Sequence, residues 1–170
     1  MNAMLEKKAE TLNKCKELIV DIYNSLDSEE VAEQLDAVER LEELSVMMGD
    51  NSIKDLAEYK HVREVLKKLH IKTAKTLMSI LESSASFSND ERHSFNYSEP
   101  KEQIQAAEDI KLLPNAFIGG PMKSAMNSKN PKVLRVAIDH YKSLPSSVRV
   151  SDVFPPNFGN IVRTIDSKLK

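Results

Sequence analysis

Residues 41–81 read LEELSVMMGDNSIKDLAEYKHVREVLKKLHIKTAKTLMSIL. Apolar side chains recur there every three or four positions, the spacing that gathers them on one face of a helix. Gly49-Asp50-Asn51 breaks the pattern with residues that end helices. Ser52 predicts an N-cap for a short helix over 53–59. Two more helices are predicted downstream. One covers 61–69 on Val62, Val65, Leu66 and Leu69; the other covers 71–82 on Ala74, Leu77, Met78 and Leu81.

The same spacing extends toward the N-terminus. Leu5, Ala9, Leu12, Cys15, Ile19, Ile22, Tyr23 and Leu26 predict a helix over 4–26. Asp27 or Ser28 can cap the next, with Glu29 and Glu30 suited to its positive end. Val31, Leu35, Val38, Leu41, Leu44 and Met48 predict that helix over 31–48. Connections this short force neighbouring helices together, so residues 1–85 are expected to form a compact five-helix bundle.

Past residue 86 the composition changes. All seven prolines, all five phenylalanines and three of the four glycines lie there. Charge divides at the same place: residues 1–82 carry twelve Lys/Arg against seventeen Asp/Glu, and residues 111–170 carry ten against three. The break predicts a bundle over 1–85, a polar linker over 86–99 and a basic helical extension over 100–170. Docking of that extension on the acidic bundle accounts for the charge split, as would a nucleic-acid-binding basic face. Within the extension a helix is predicted from Pro100 to Leu113, a loop over 114–131, and a helix over 132–144 capped by Asn130. Residues 146–160 read as a short strand or as an extended segment packed on the bundle, and residues 160–169 as a last helix.

Composition sets the class. Of 170 residues, 41% are hydrophobic, 29% charged and 5% aromatic, with no Trp, which points to an all-α protein and away from a β-sandwich or a disordered tail. No apolar run approaches the roughly 20 residues a membrane span needs, and the N-terminus has no apolar core of signal-peptide type. Cys15 is the only cysteine, so no internal disulfide is expected, which fits a reducing compartment. The histidines at 61, 70, 93 and 140 lack metal-ligand spacing, and no cofactor or metal is expected. Gly119-Gly120 stands outside any phosphate-loop motif, and no nucleophile motif is present. Eight carboxylates over 27–43 read as a solvated helix face.

Residues 10–85 resemble the helical N-terminal domain of transcription elongation factor S-II and its relatives, most closely the integrase-binding domain of lens epithelium-derived growth factor. The shared features are the Leu41-x-x-Leu44 helix, the short helix after it, the segment Leu66-Lys67-Lys68-Leu69, and the Lys72-Thr73 step. The resemblance implies a non-catalytic adaptor in the nucleus that binds short acidic, aromatic-containing linear motifs of transcription or chromatin partners. It also implies where they bind. Two interhelical loops, 26–29 and 70–73, would converge, with Asp27 or Glu29 accepting partner N–H groups and Ile71, Lys72 and Thr73 lining the pocket. Read without the family, Ile71 is the first core residue of its helix and Asp27 a cap. A helical scaffold of HEAT type, or nucleic-acid binding through the basic C-terminal face, are the alternative functions.

Overall fold

The computed structural model describes residues 2–82 and 99–170, so the linker expected at 86–99 lies, apart from Glu99, outside the described residues. The described chain is all-α. It contains α1 (Asn2–Ser25), α2 (Val31–Glu39), α3 (Leu41–Met48), α4 (Tyr59–Glu82), α5 (Pro100–Asp109), α6 (Gly119–Met126), α7 (Pro131–Ser143), α8 (Ser146–Arg149) and α9 (Phe158–Leu169), with no strand among the described residues.

α1 buries Leu12, Cys15, Ile19 and Ile22 along one stripe against α2, α3 and α4, whereas Leu5, Ala9 and Tyr23, expected on the same stripe, are exposed. Full burial of each leucine or isoleucine contributes roughly 1.5–3 kcal/mol. The helix expected over 31–48 is two helices. Arg40 breaks it, its N–H closing an i→i−3 bond to the Ala37 carbonyl at 3.1 Å. The bend lets α2 and α3 each pack on α1 while keeping Leu35, Val38, Leu41 and Leu44 in the core. The Arg40 side chain then ties the bend to α1 through Asp21 and Ser25.

The short helix expected at 53–59 is only a 3-10 turn, Asn51–Ile53, and its cap is Asp50 rather than Ser52: Asp50 Oδ1 accepts the Ser52 N–H at 2.9 Å. The helices expected at 61–69 and 71–82 are one, α4. Leu69, Thr73, Leu77 and Leu81 stand four residues apart and are all buried, so one stripe passes through residue 70 without a break. Ile71 is out of phase with that stripe. Its apolar character suggests a new helix, whereas in the structure it is left on the surface. Among the described residues the first half therefore holds four α-helices and a 3-10 turn where five helices were expected.

The second half packs on the first. α5 lies against α2 and α4, α6 against α4, α7 against α5 and α6, and α9 chiefly against α7. Buried residues from both halves form one core. Glu99 and Glu102 close a capping box at the start of α5, with Pro100 in the first turn. Asn130 caps α7 as predicted, its Oδ1 accepting the Lys132 N–H at 2.9 Å. The loop expected over 114–131 contains α6, whose Met122, Ala125 and Met126 are buried at helical spacing. Pro121 falls in its first turn, where no intrahelical donor is lost. The strand considered over 146–160 is instead α8 followed by turns. Phe154 and Phe158 stack at 4.8 Å and both meet Tyr141 edge-on, which is where the C-terminal aromatics are spent.

Candidate functional site

The turn between α1 and α2 rests on the flank of α4. Gln34, in the first turns of α2, reaches back and donates its Nε2 to the carbonyls of Leu26 at 3.2 Å and Ser28 at 2.9 Å. One side chain thus sets the path of the turn and presents Asp27 toward α4. Asp27 Oδ1 meets Lys72 Nζ at 2.5 Å, and the same ammonium sits 4.4 Å from the Tyr23 ring centroid. Both attractions act near solvent, where an ion pair is worth about 0–1 kcal/mol and a cation–π contact about 0.5–1 kcal/mol. They orient Lys72 more than they stabilise the fold.

Beside this pair a cleft of about 310 Å³ opens between the turn and α4. Leu26 and Val31 form an apolar wall; Lys72, Lys75, Thr76 and Ser79 form the polar one. The Thr76 hydroxyl is committed to the Lys72 carbonyl at 2.9 Å. Lys75 has no carboxylate partner among the described residues.

A groove of about 270 Å³ continues along the α1–α4 seam, lined by Lys16, Ile19, Val20, His61, Val62 and Val65. The two helices run in the same direction here, since Lys16 pairs with Glu58 at one end and Asp27 with Lys72 at the other. Val20 is 58% exposed, Tyr23 40% and Ile71 45%. The outer stripe of α4 carries exposed Lys60, Lys67, Lys68 and Lys75 around Ile71; of these, Lys67 alone has a carboxylate partner among the described residues, Glu64 at 3.7 Å. The face is apolar and basic together. Side chains of this kind hold carboxylates and an aromatic ring through contact and charge.

The residues expected at the site are distributed as follows. Asp27 and Lys72 come together, though as partners of each other. Ile71 adjoins them on the outer face of α4. Thr73 is fully buried, its hydroxyl donating to the Leu69 carbonyl at 2.8 Å, so it belongs to the core and not to a pocket wall. Glu29 is exposed on the turn and has no ion pair among the described residues. The second loop expected at 70–73 is the interior of α4, so the arrangement is a turn against a helix flank and not two loops meeting. Sequence reasoning missed Tyr23, Val20 and Lys75. The signal for Tyr23 was its polar hydroxyl at the edge of the α1 stripe, about 100° around the helix from Ile22, where a large amphipathic ring can stay on the surface.

Cys15 lies fully buried in the core, and burial pushes its thiol pKa up, away from an activated thiolate. Among the described residues no group of three or more His, Cys, Asp and Glu is placed to hold a metal. Compared with known protein families, curated proteins and solved structures, the chain matches none.

Proposed function

We propose that this chain is a non-catalytic interaction adaptor whose α1–α4 face docks short linear motifs combining carboxylates with one aromatic residue. The observation that carries the reading is Ile71. The core-facing stripe of α4 is complete without it, yet a large apolar side chain stands 45% exposed amid Lys67, Lys68, Lys72 and Lys75. Nearly half of its surface stays open to solvent and is available to a partner. The lysines select for acidic neighbours of the anchoring ring, and Asp27 occupies Lys72 as an internal stand-in for a partner carboxylate. Transcription or chromatin partners and a nuclear location follow from the family resemblance alone.

The energetics suit a motif. One buried ring contributes on the order of 2 kcal/mol, and each charged hydrogen bond about 1.5–3 kcal/mol, before ordering costs are subtracted. Micromolar affinity, about 8 kcal/mol net, therefore requires the ring and several lysine contacts to act together. Fluorescein-labelled peptides of mixed Asp and Glu with a single Phe, titrated by anisotropy, test it. Binding in the micromolar range is expected, weakened at least tenfold by Ile71→Asp and by Lys68→Glu, with melting temperatures within a few degrees of wild type because both positions are exposed. Equal binding by the variants, or no binding of any such peptide below about 1 mM, defeats the reading.

A further inference from the structure

Two exposed stretches of helix carry one pattern with opposite charge. On α4, Lys67 and Lys68 precede Ile71 by four and three residues; on α3, Glu42 and Glu43 precede Val46 by the same intervals. In a helix those positions lie one turn away on the same face, so a like-charged pair flanks each apolar side chain. The buried Leu69 and Leu44 stand two residues before Ile71 and Val46, about 200° around the helix, which turns both patterns outward. Val46 is 74% exposed, so within one chain neither apolar side chain covers the other.

α2 extends the acidic patch. Asp36 and Glu39 share with Glu42, Glu43 and Val46 a surface groove of about 420 Å³. Its cation, Arg40, is already engaged by Asp21 and Ser25. Glu42 and Glu43 enter no ion pair among the described residues. Lys75, one turn beyond Ile71, extends the basic patch in the same way.

Each patch supplies what the other lacks. Ile71 against a second Ile71 would crowd lysines together, and Val46 against a second Val46 would crowd glutamates. Only the unlike pairing covers both apolar side chains and sets every charge beside its opposite. We infer that a second copy of this chain docks its α2–α3 patch on the α4 patch of the first, Val46 on Ile71, with Glu42 and Glu43 among Lys67, Lys68 and Lys75. The inference rests on the α4 face being a docking surface, as proposed above, and names the chain itself as an acidic, apolar partner for it. Because the two patches differ, the copies meet head to tail. One helix face on each side makes a small contact of the weak, transient class, so association depends on concentration.

Sedimentation velocity of the full chain from about 10 μM to about 1 mM tests this. Weight-average mass should rise across that range in about 50 mM salt, and at least tenfold more protein should be needed for the same mass in about 500 mM salt. Glu42→Lys/Glu43→Lys alone, and Lys67→Glu/Lys68→Glu alone, should stay monomeric, since each sets like charges against like. Mixed in equal amounts, the two variants should associate as the wild type does, because unlike pairs are restored. A monomeric wild type, association indifferent to salt, or a mixture no heavier than its parts would overturn the inference. All the substituted positions are exposed, and the salt response of the wild type keeps the test decisive should either variant fail to fold. The acidic aromatic peptide, titrated below the self-association range, should bind Glu42→Lys/Glu43→Lys as it binds the wild type. Peptide binding without self-association defeats this inference alone; self-association with charge-swap rescue and no peptide binding defeats the motif reading alone.

Discussion

Asp109 ends α5 only 4% exposed, and its Oδ2 has no hydrogen-bond partner among the described residues. Oδ1 accepts from Gln105 Nε2 at 2.8 Å, a donor shared with Glu39 at 3.2 Å. Burial, with Glu39 and Glu108 adding repulsion, pushes the pKa up to about 7. The folded chain thus holds the proton more tightly than the unfolded chain does. This carboxyl costs no stability below its ordinary pKa near 3.8, costs progressively more as pH rises toward 7, and levels off above that. Asp109→Asn removes the titration. The variant should match wild type near pH 4 and exceed it by about 2–4 kcal/mol at pH 8, as read from urea unfolding at several pH values. Two adjacent glycines make a second contrast. A Cβ on Gly119 would fall 2.1 Å from the Val153 carbonyl oxygen, which is backbone, whereas one on Gly120 would meet the mobile end of Met78 at 2.8 Å. Gly119→Ala should therefore cost more than about 2 kcal/mol and Gly120→Ala under about 1 kcal/mol in the same assay.

Among the elements, α4 shows where pattern reading loses information. Periodicity identified its core stripe but not its continuity, because Ile71 mimics the start of a new helix and only packing reveals that it faces out. Ile71→Pro separates the two arrangements. In a loop at 70–73 it would be tolerated; inside α4 it removes a hydrogen bond and clashes with the preceding turn, at about 3 kcal/mol or more, and circular dichroism should record loss of the fold. Elements with their own punctuation were readable in advance: α1 from its stripe, and α5 and α7 from Pro100, Asn130 and Pro131. α6 was not. Its first residues, Gly119-Gly120-Pro121, favour a loop, and what makes them helical is burial of Met122 and Met126 against elements distant in sequence. The candidate site was half visible for the same reason. Asp27 and Lys72 meet, but Thr73 turned inward according to a helix phase that the false break at residue 70 had hidden, and Tyr23, counted in the apolar stripe of α1, turned outward.

The described residues share one core. Residues 1–82 carry the acidic excess and 111–170 the basic one, and helices from both halves share the faces of α4. A single unfolding transition should result, with tyrosine signals at 23 and 141 coincident in urea and residues 1–82 alone melting far below the full chain; two separated transitions would contradict it. One flank of α4 belongs to partners that come later in the chain. His70 meets Phe117, Glu82 accepts from Ser124 at 2.9 Å, and Met78 lies over Gly120. On a ribosome adding about 5–20 residues per second, the stretch from 83 to the end of α6 at 126 takes roughly 2–9 s to make. Through that interval the nascent protein has its longest downstream-dependent helix assembled on one side and bare on the other. Biosynthesis, rather than the finished fold, is where this chain is most open to misassociation.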